Sequence, residues 1–104
     1  MNRKTASVFS LCKRAGCLIS GEQAAEIAIK DGEALLVIIA DDASENTKKK
    51  FLNKSKYYKV NAVVYGRKEE LSRAIGCFDR SVFAVVKNEN FADKIYELIT
   101  EENI

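Results

Sequence analysis

Ala34-Leu35-Leu36-Val37-Ile38-Ile39-Ala40, followed at once by Asp41-Asp42-Ala43-Ser44-Glu45-Asn46-Thr47-Lys48-Lys49-Lys50, is the stretch that decides the fold. The apolar run has no alternation, as expected of a central strand covered on both faces, so helices must lie on either side of it. Ser44 is placed to cap a helix that runs through the lysines with Thr47, Phe51 and Ser55 on its inner side. That apolar stripe is thin, and much of this helix should face water.

Toward the N-terminus, Val8, Leu11, Cys12 and Ala15 follow the i, i+3, i+4, i+7 spacing of a helix, and Gly16 stands where a helix commonly ends. Residues 17–20 leave room only for a short strand. Ser20 with Gln23 three residues on matches a capping box opening a second helix, which Gly32 closes. Toward the C-terminus, 62–65 reads as a strand, and Leu71, Ala74 and Ile75 before Gly76 mark a fourth helix. Residues 82–86 give another strand, and Asn88 caps a last helix bearing Phe91, Ile95, Leu98 and Ile99. The order αβαβαβαβα predicts an α/β fold, a three-layer α/β/α sandwich around a mixed sheet of about four strands. There is no linker, repeat or Pro, so 1–104 is expected to form one domain.

At 104 residues, 47% apolar and 31% charged, the chain has the balance of a soluble globular protein. No apolar run approaches the roughly 20 residues that span a bilayer, and the start lacks the solid apolar core of a signal peptide, so a cytoplasmic address and no membrane partner are expected. Cys12, Cys17 and Cys77 are an odd number and there is no His, which argues for reduced thiols and against a structural zinc site. Cys12 is expected in the core.

Net charge is only +2, yet it is unevenly spread. From Asn46 to Lys68 six Lys precede Arg67 and Lys68 without one acid, residues 1–21 carry Arg3, Lys4, Lys13 and Arg14 alone, and 88–104 are acidic apart from Lys94. Two differently charged faces are expected, one of them suited to a polyanion.

Enzymatic chemistry finds little footing. Asp41 and Asp42 follow the carboxyl end of the central strand, where a magnesium site is conceivable, but a phosphoacceptor constellation needs a further Asp at the next strand end, which reads Gly66-Arg67-Lys68. Asp42 is otherwise an acid near a helix N-terminus, favoured by the macrodipole. Without His, a Gly-x-Ser-x-Gly elbow or a glycine-rich phosphate loop, no enzyme, cofactor or metal is expected.

The corner Ser20-Gly21-Glu22-Gln23 is the better candidate. Gly21 removes a side chain where an RNA backbone would approach, and a helix N-terminal position should tolerate a replacement without unfolding. Gln23 can donate and accept toward a base edge or serve as the capping partner of Ser20, and the helix amides favour anionic oxygens. Lys13 and Arg14, close in sequence, are candidates for phosphate contacts as well as ordinary stabilisers of a helix C-terminus.

Taken together, Ser20-Gly21-Glu22, the run from Ala34 to Lys50, Tyr57-Tyr58-Lys59-Val60 and Glu69-Glu70-Leu71-Ser72-Arg73-Ala74-Ile75-Gly76 resemble the L-seven-Ae/L-thirty-e ribosomal protein family, and within it the bacterial YlxQ-like branch. The resemblance covers nearly the whole chain. It implies an α/β/α sandwich that binds kink-turn RNA through the strand-to-helix corner and the loop before the last strand. The family's Gly-x-Asn-Glu-x-x-Lys signature falls on Gly21 to Ile27. Gly21 is kept, Gln23 is a longer stand-in for Asn, Ala24 cannot make the Glu contact to a guanine edge, and Ile27 cannot meet a phosphate. Lys30 is placed to restore a positive charge on that face. In the second segment Cys77 or Phe78 would pack on an extruded base and Arg80 would reach a phosphate. The expected function is non-enzymatic binding of a structured, kink-turn-like RNA, ribosomal RNA included, by a monomer. The alternative is a small cytoplasmic protein-interaction domain on the same fold.

Overall fold

The computed structural model describes residues 1–103. Five helices alternate with four strands: α1 (Arg3–Arg14), β1 (Leu18–Ser20), α2 (Glu22–Lys30), β2 (Ala34–Ile39), α3 (Glu45–Tyr57), β3 (Asn61–Val64), α4 (Lys68–Ala74), β4 (Val82–Val86) and α5 (Glu89–Glu102). The sheet order is β1-β4-β2-β3, with β2 and β3 parallel and β4 antiparallel to both its neighbours. Helices α1, α4 and α5 pack on one face and α2 and α3 on the other, giving the expected three layers around a mixed sheet. In β2 every residue but Leu35 is buried, and all of β4 is, because both strands are central and covered twice.

Local signals set most boundaries. Asn2, Ser44 and Asn88 accept hydrogen bonds from the backbone N–H groups of Thr5, Thr47 and both Asn90 and Phe91, so they cap α1, α3 and α5. Gly16, Gly32 and Gly76 follow the ends of α1, α2 and α4 in the left-handed conformation that a side chain disfavours.

Three expectations need correction. The buried face of α1 is Thr5, Phe9 and Cys12, while Leu11 is 47% exposed and Ala15 lies at the surface. The helix is rotated from the expected stripe because Phe9 sets its ring edge-on against Phe83 of β4, at 5.5 Å between centroids. The Ser20–Gln23 capping box does not form: Ser20 is the last residue of β1, Gly21 is the N-cap, and no side chain caps α2. Nor do the basic start and acidic end of the chain make opposite faces. Helices α1 and α5 lie side by side, and Glu102 accepts hydrogen bonds from the Asn2 N–H (3.2 Å) and the Thr5 hydroxyl.

Cys12 is buried as expected, and burial, with Cys17 beside it, pushes its thiol up to about 12, so it remains protonated packing material. No described helix is long and apolar enough to cross a membrane.

Candidate functional site

The strand register sorts the sequence-predicted residues by position. Gly21, Val82, Ala40 and Gly66 share one end of the sheet: the Gly21 N–H donates to the Val82 carbonyl (2.8 Å), Ala40 N–H to Ser81 (2.8 Å) and Asp41 N–H to Gly66 (2.7 Å). Cys17, paired with Val86, marks the other end. Lys13 and Arg14 precede Cys17 and therefore sit at that far end, about 13 Å of extended chain from Gly21. They do not flank the corner. Lys30 ends α2, about 12 Å along the helix from its start, and forms an ion pair with Glu26 (3.7 Å).

The remaining candidates converge. Ser20 Oγ lies 3.7 Å from Cys77 Sγ, joining the β1–α2 corner to the loop before β4. Gly21 has φ 104° and ψ 150°, a conformation open essentially to glycine alone, and a Cβ placed there would stand 2.8 Å from Arg80 Nη1. The space over Gly21 is thus filled by the Arg80 guanidinium, and the expectation that a side chain would be tolerated there is overturned by the backbone angle. Glu22 and Gln23 open α2 at the surface, with Glu22 accepting a hydrogen bond from Thr47 at the start of α3 (3.4 Å).

Charge and hydrogen bonding make α2 the odd helix. The N-terminal amides of α1, α3 and α5 are met by their own caps, and Asp42 accepts from the Lys68 N–H at the start of α4 (2.8 Å) while pairing with Arg67 (3.7 Å). Asp42 therefore stabilises a helix N-terminus, but that of α4 rather than the nearer α3. The N–H groups of Glu22, Gln23 and Ala24 have no partner among the described residues. Arg80 is exposed and has no ion pair among them.

A clamp absent from the sequence motifs holds the loop. Ser72, buried in α4, donates from Oγ to the Arg80 carbonyl (3.1 Å) and accepts from the Arg80 N–H (2.9 Å). Asp79 takes φ 55° between them and pairs with Lys68 (3.4 Å), turning Phe78 outward until 90% of it is exposed. Phe78 and Cys77, with Lys68, Ser72 and Arg73, line a groove of about 460 Å³ against α4. Eight residues separate Ser72 from Arg80, and no helical or strand period links them; only the tertiary fold could reveal this pair.

On the outer face of α2, Ile27 is 52% exposed and Ala24 half-buried, so the two departures from the family signature are not core positions. Glu26 instead collects cations: Lys54 (3.0 Å), Lys50 (3.4 Å) and Lys30. Hydrogen bonding first from Lys54 and then from Lys50 holds the Glu26 carboxyl below the ordinary glutamate value.

Comparison with known proteins identifies the family. The sequence profile of the "Ribosomal protein L7Ae/L30e/S12e/Gadd45 family" matches residues 3–95. The chain is 42% identical over 97 residues to a protein of Enterococcus faecium called RNA-binding protein YlxQ, covering 93% of this chain and 92% of that one. It is 37% identical over 92 residues to the Bacillus subtilis (strain 168) protein of the same name, covering 88% and 91%. A solved structure from Bacillus halodurans C, described as a protein with unknown function, superposes with a TM-score of 0.89 at 37% identity, covering 95% of this chain and 99% of that one. The Giardia lamblia 15.5kD RNA binding protein shares the fold at a TM-score of 0.76 and 20% identity, covering 97% and 89%. With the profile spanning most of its length and both relatives above 30% identity, this chain belongs to the ribosomal protein L7Ae/L30e/S12e/Gadd45 family.

Proposed function

We propose that this chain is a non-enzymatic RNA-binding protein whose single domain, 1–104, takes a bent or internally looped RNA of the kink-turn kind as a monomer in the cytoplasm, on the ribosome or on a free structured RNA. The names of its relatives point to RNA, and one observation on this molecule carries the assignment of the face. Two segments far apart in sequence meet where the open amides of α2, the Arg80 guanidinium, without an ion pair among the described residues, and the exposed Phe78 ring lie on one end of the sheet. Amides and guanidinium suit phosphate or carbonyl oxygens, and a free aromatic ring beside them suits an unstacked base. Arg80, rather than the bare backbone of Gly21, would meet the phosphate there. Ser20, Gly21, Glu22, Gln23, Cys77, Phe78 and Arg80 form this face; Lys13, Arg14 and Lys30 contribute only at long range.

Gel-shift binding to a kinked RNA and to a straight duplex of equal length tests this reading. Wild type should prefer the kinked RNA. Phe78→Ser and Arg80→Gln, both at exposed side chains, should each remove most of that preference without lowering Tm. Equal weak binding to both RNAs by the wild type would reduce the interaction to electrostatics, and no binding at low salt would favour a protein partner.

A further inference from the structure

The end of α3 holds a second feature that the Gly21 corner does not use. Tyr57 is 79% exposed and meets Tyr58 edge-to-face with ring centroids 5.0 Å apart, so one broad ring face is left to solvent at the tip of the helix. Both rings, with Lys50, Asn53 and Lys54, line an open groove of about 440 Å³. Lys56 and Lys59 are exposed beside it and have no ion pair among the described residues. Where α1, α2 and α4 place glycine in the left-handed position after the helix, α3 places Lys59 there, at φ 59°. A non-glycine residue in that conformation is uncommon, and here it keeps a cation next to the tyrosines.

We propose that this Tyr57–Tyr58 platform with Lys56 and Lys59 is a binding site for single-stranded RNA, bases stacking on Tyr57 and phosphates meeting the lysines. Charge complementarity selects the occupant: no acid occurs from Asn46 to Lys68 and none is among the residues lining the groove, where Lys50 and Lys54 are paired with Glu26 while Lys56 and Lys59 have no ion pair among the described residues. Exposed aromatics interleaved with lysines are what sequence-tolerant single-strand binding requires. The platform lies about 15 Å along α3 from Thr47, which touches Glu22, too far for the rings to share one nucleotide with the corner.

The experiment is fluorescence anisotropy with a single-stranded oligoadenylate of about eight nucleotides, which carries no kink, and Arg80→Gln reports any share of it bound at the corner. The chain has four Tyr and no Trp, so quenching of tyrosine emission gives a second readout of stacking. Tyr57→Ser should weaken binding roughly 5- to 100-fold and abolish most quenching, Tyr57→Phe should retain affinity, and Lys56→Gln with Lys59→Gln should flatten the salt dependence. Oligoadenylate should bind tighter than oligouridylate because purines stack better. Unchanged affinity in Tyr57→Ser, equal binding of both oligonucleotides and heparin, or a loss that follows Arg80→Gln in place of Tyr57→Ser would each overturn the platform. A failure of the kinked RNA to bind, with oligoadenylate binding intact, would instead overturn the corner.

Discussion

The end of the sheet that carries Gly21 and the outer face shared by α2 and α3 are both polar, but they are held in opposite ways. At the sheet end, hydrogen bonds are partly buried and fixed by backbone: Ser72 clamps Arg80, Val82 holds Gly21, and Glu102 gathers Thr5, Tyr65 and Asn2. On the outer face, Glu26 is surrounded by lysines on flexible stems in water, where ion pairs add little stability and are screened by salt. The first region supplies shape and the second supplies charge. Under the proposed function selective recognition would fall to the first, because a preorganised face can tell a bent RNA from a straight one whereas a field of lysines cannot.

Gly21→Val is the strongest way to break that contrast. A valine at φ 104° and ψ 150° is strained by about 3 kcal/mol, and its Cβ would displace the Arg80 guanidinium. Thermal denaturation should show Tm lower by roughly 12–24 °C, with kinked-RNA binding lost even well below the transition. A variant as stable as wild type would mean that the corner is not rigid.

Restoring the family signature sharpens the contrast in the other direction. Ala24→Glu with Ile27→Lys should tighten binding to a kinked RNA by about 1–3 kcal/mol, by analogy with base-edge readout in DNA grooves, and leave a straight duplex unaffected apart from electrostatics. Because Ile27 is 52% exposed, the lysine should not destabilise the fold, and an unchanged Tm would confirm that the test reads recognition alone. No gain in affinity would show that the α2 face has left guanine recognition.

Glu102 tests whether the sheet end is held by charge as well as shape. Burial pushes its pKa up, but hydrogen bonds from Thr5, Tyr65 and the Asn2 N–H, with the N-terminal charge, outweigh it and leave the carboxyl below its ordinary value. Burial first, then the Glu102 hydrogen bond, moves the Tyr65 phenol the opposite way, upward. A depressed folded-state pKa means that the stabilisation is complete above the unfolded value of about 4.3 and disappears as pH falls through the folded one. Glu102→Gln should therefore lower stability by about 1 kcal/mol at pH 7, allowing for solvent screening, and the gap to wild type should narrow as pH falls below about 4 in denaturant titrations.

How much of this was legible in the sequence follows from what is local. The alternation of elements, the caps Asn88 and Ser44 and the glycine helix ends depend on residues within one turn, and the spacing of apolar residues gave them. The Ser20–Gln23 capping box failed because Gly21 intervenes with an angle that propensity does not reveal. Lys13 and Arg14 were misplaced because nearness in sequence across a strand is separation in space. The contacts of Ser72 and Gly21 with Arg80, and of Asp42 with Lys68, join residues by packing alone, so no motif could announce them.

The smallest effect concerns the lysines. Lys48 is paired with Glu45 (3.5 Å) and Lys50 with Glu26, which leaves Lys49 as the member of the triplet without an ion pair among the described residues. Neutralising all three to Gln should then reduce the slope of log affinity against log salt by nearer one than three contacts, since a lysine already held by a carboxylate displaces fewer counterions when it meets RNA. Glu26→Gln should do the reverse: Tm changed little, because its ion pairs to solvated lysines add little stability, and a steeper salt slope as Lys50 and Lys54 become available. Both changes should act alike on kinked and straight RNA, whereas Arg80→Gln should act on the kinked RNA alone. If the lysine triplet proved selective for the kinked RNA, α3 would be the reader, and the division of shape and charge between the two regions would be reversed.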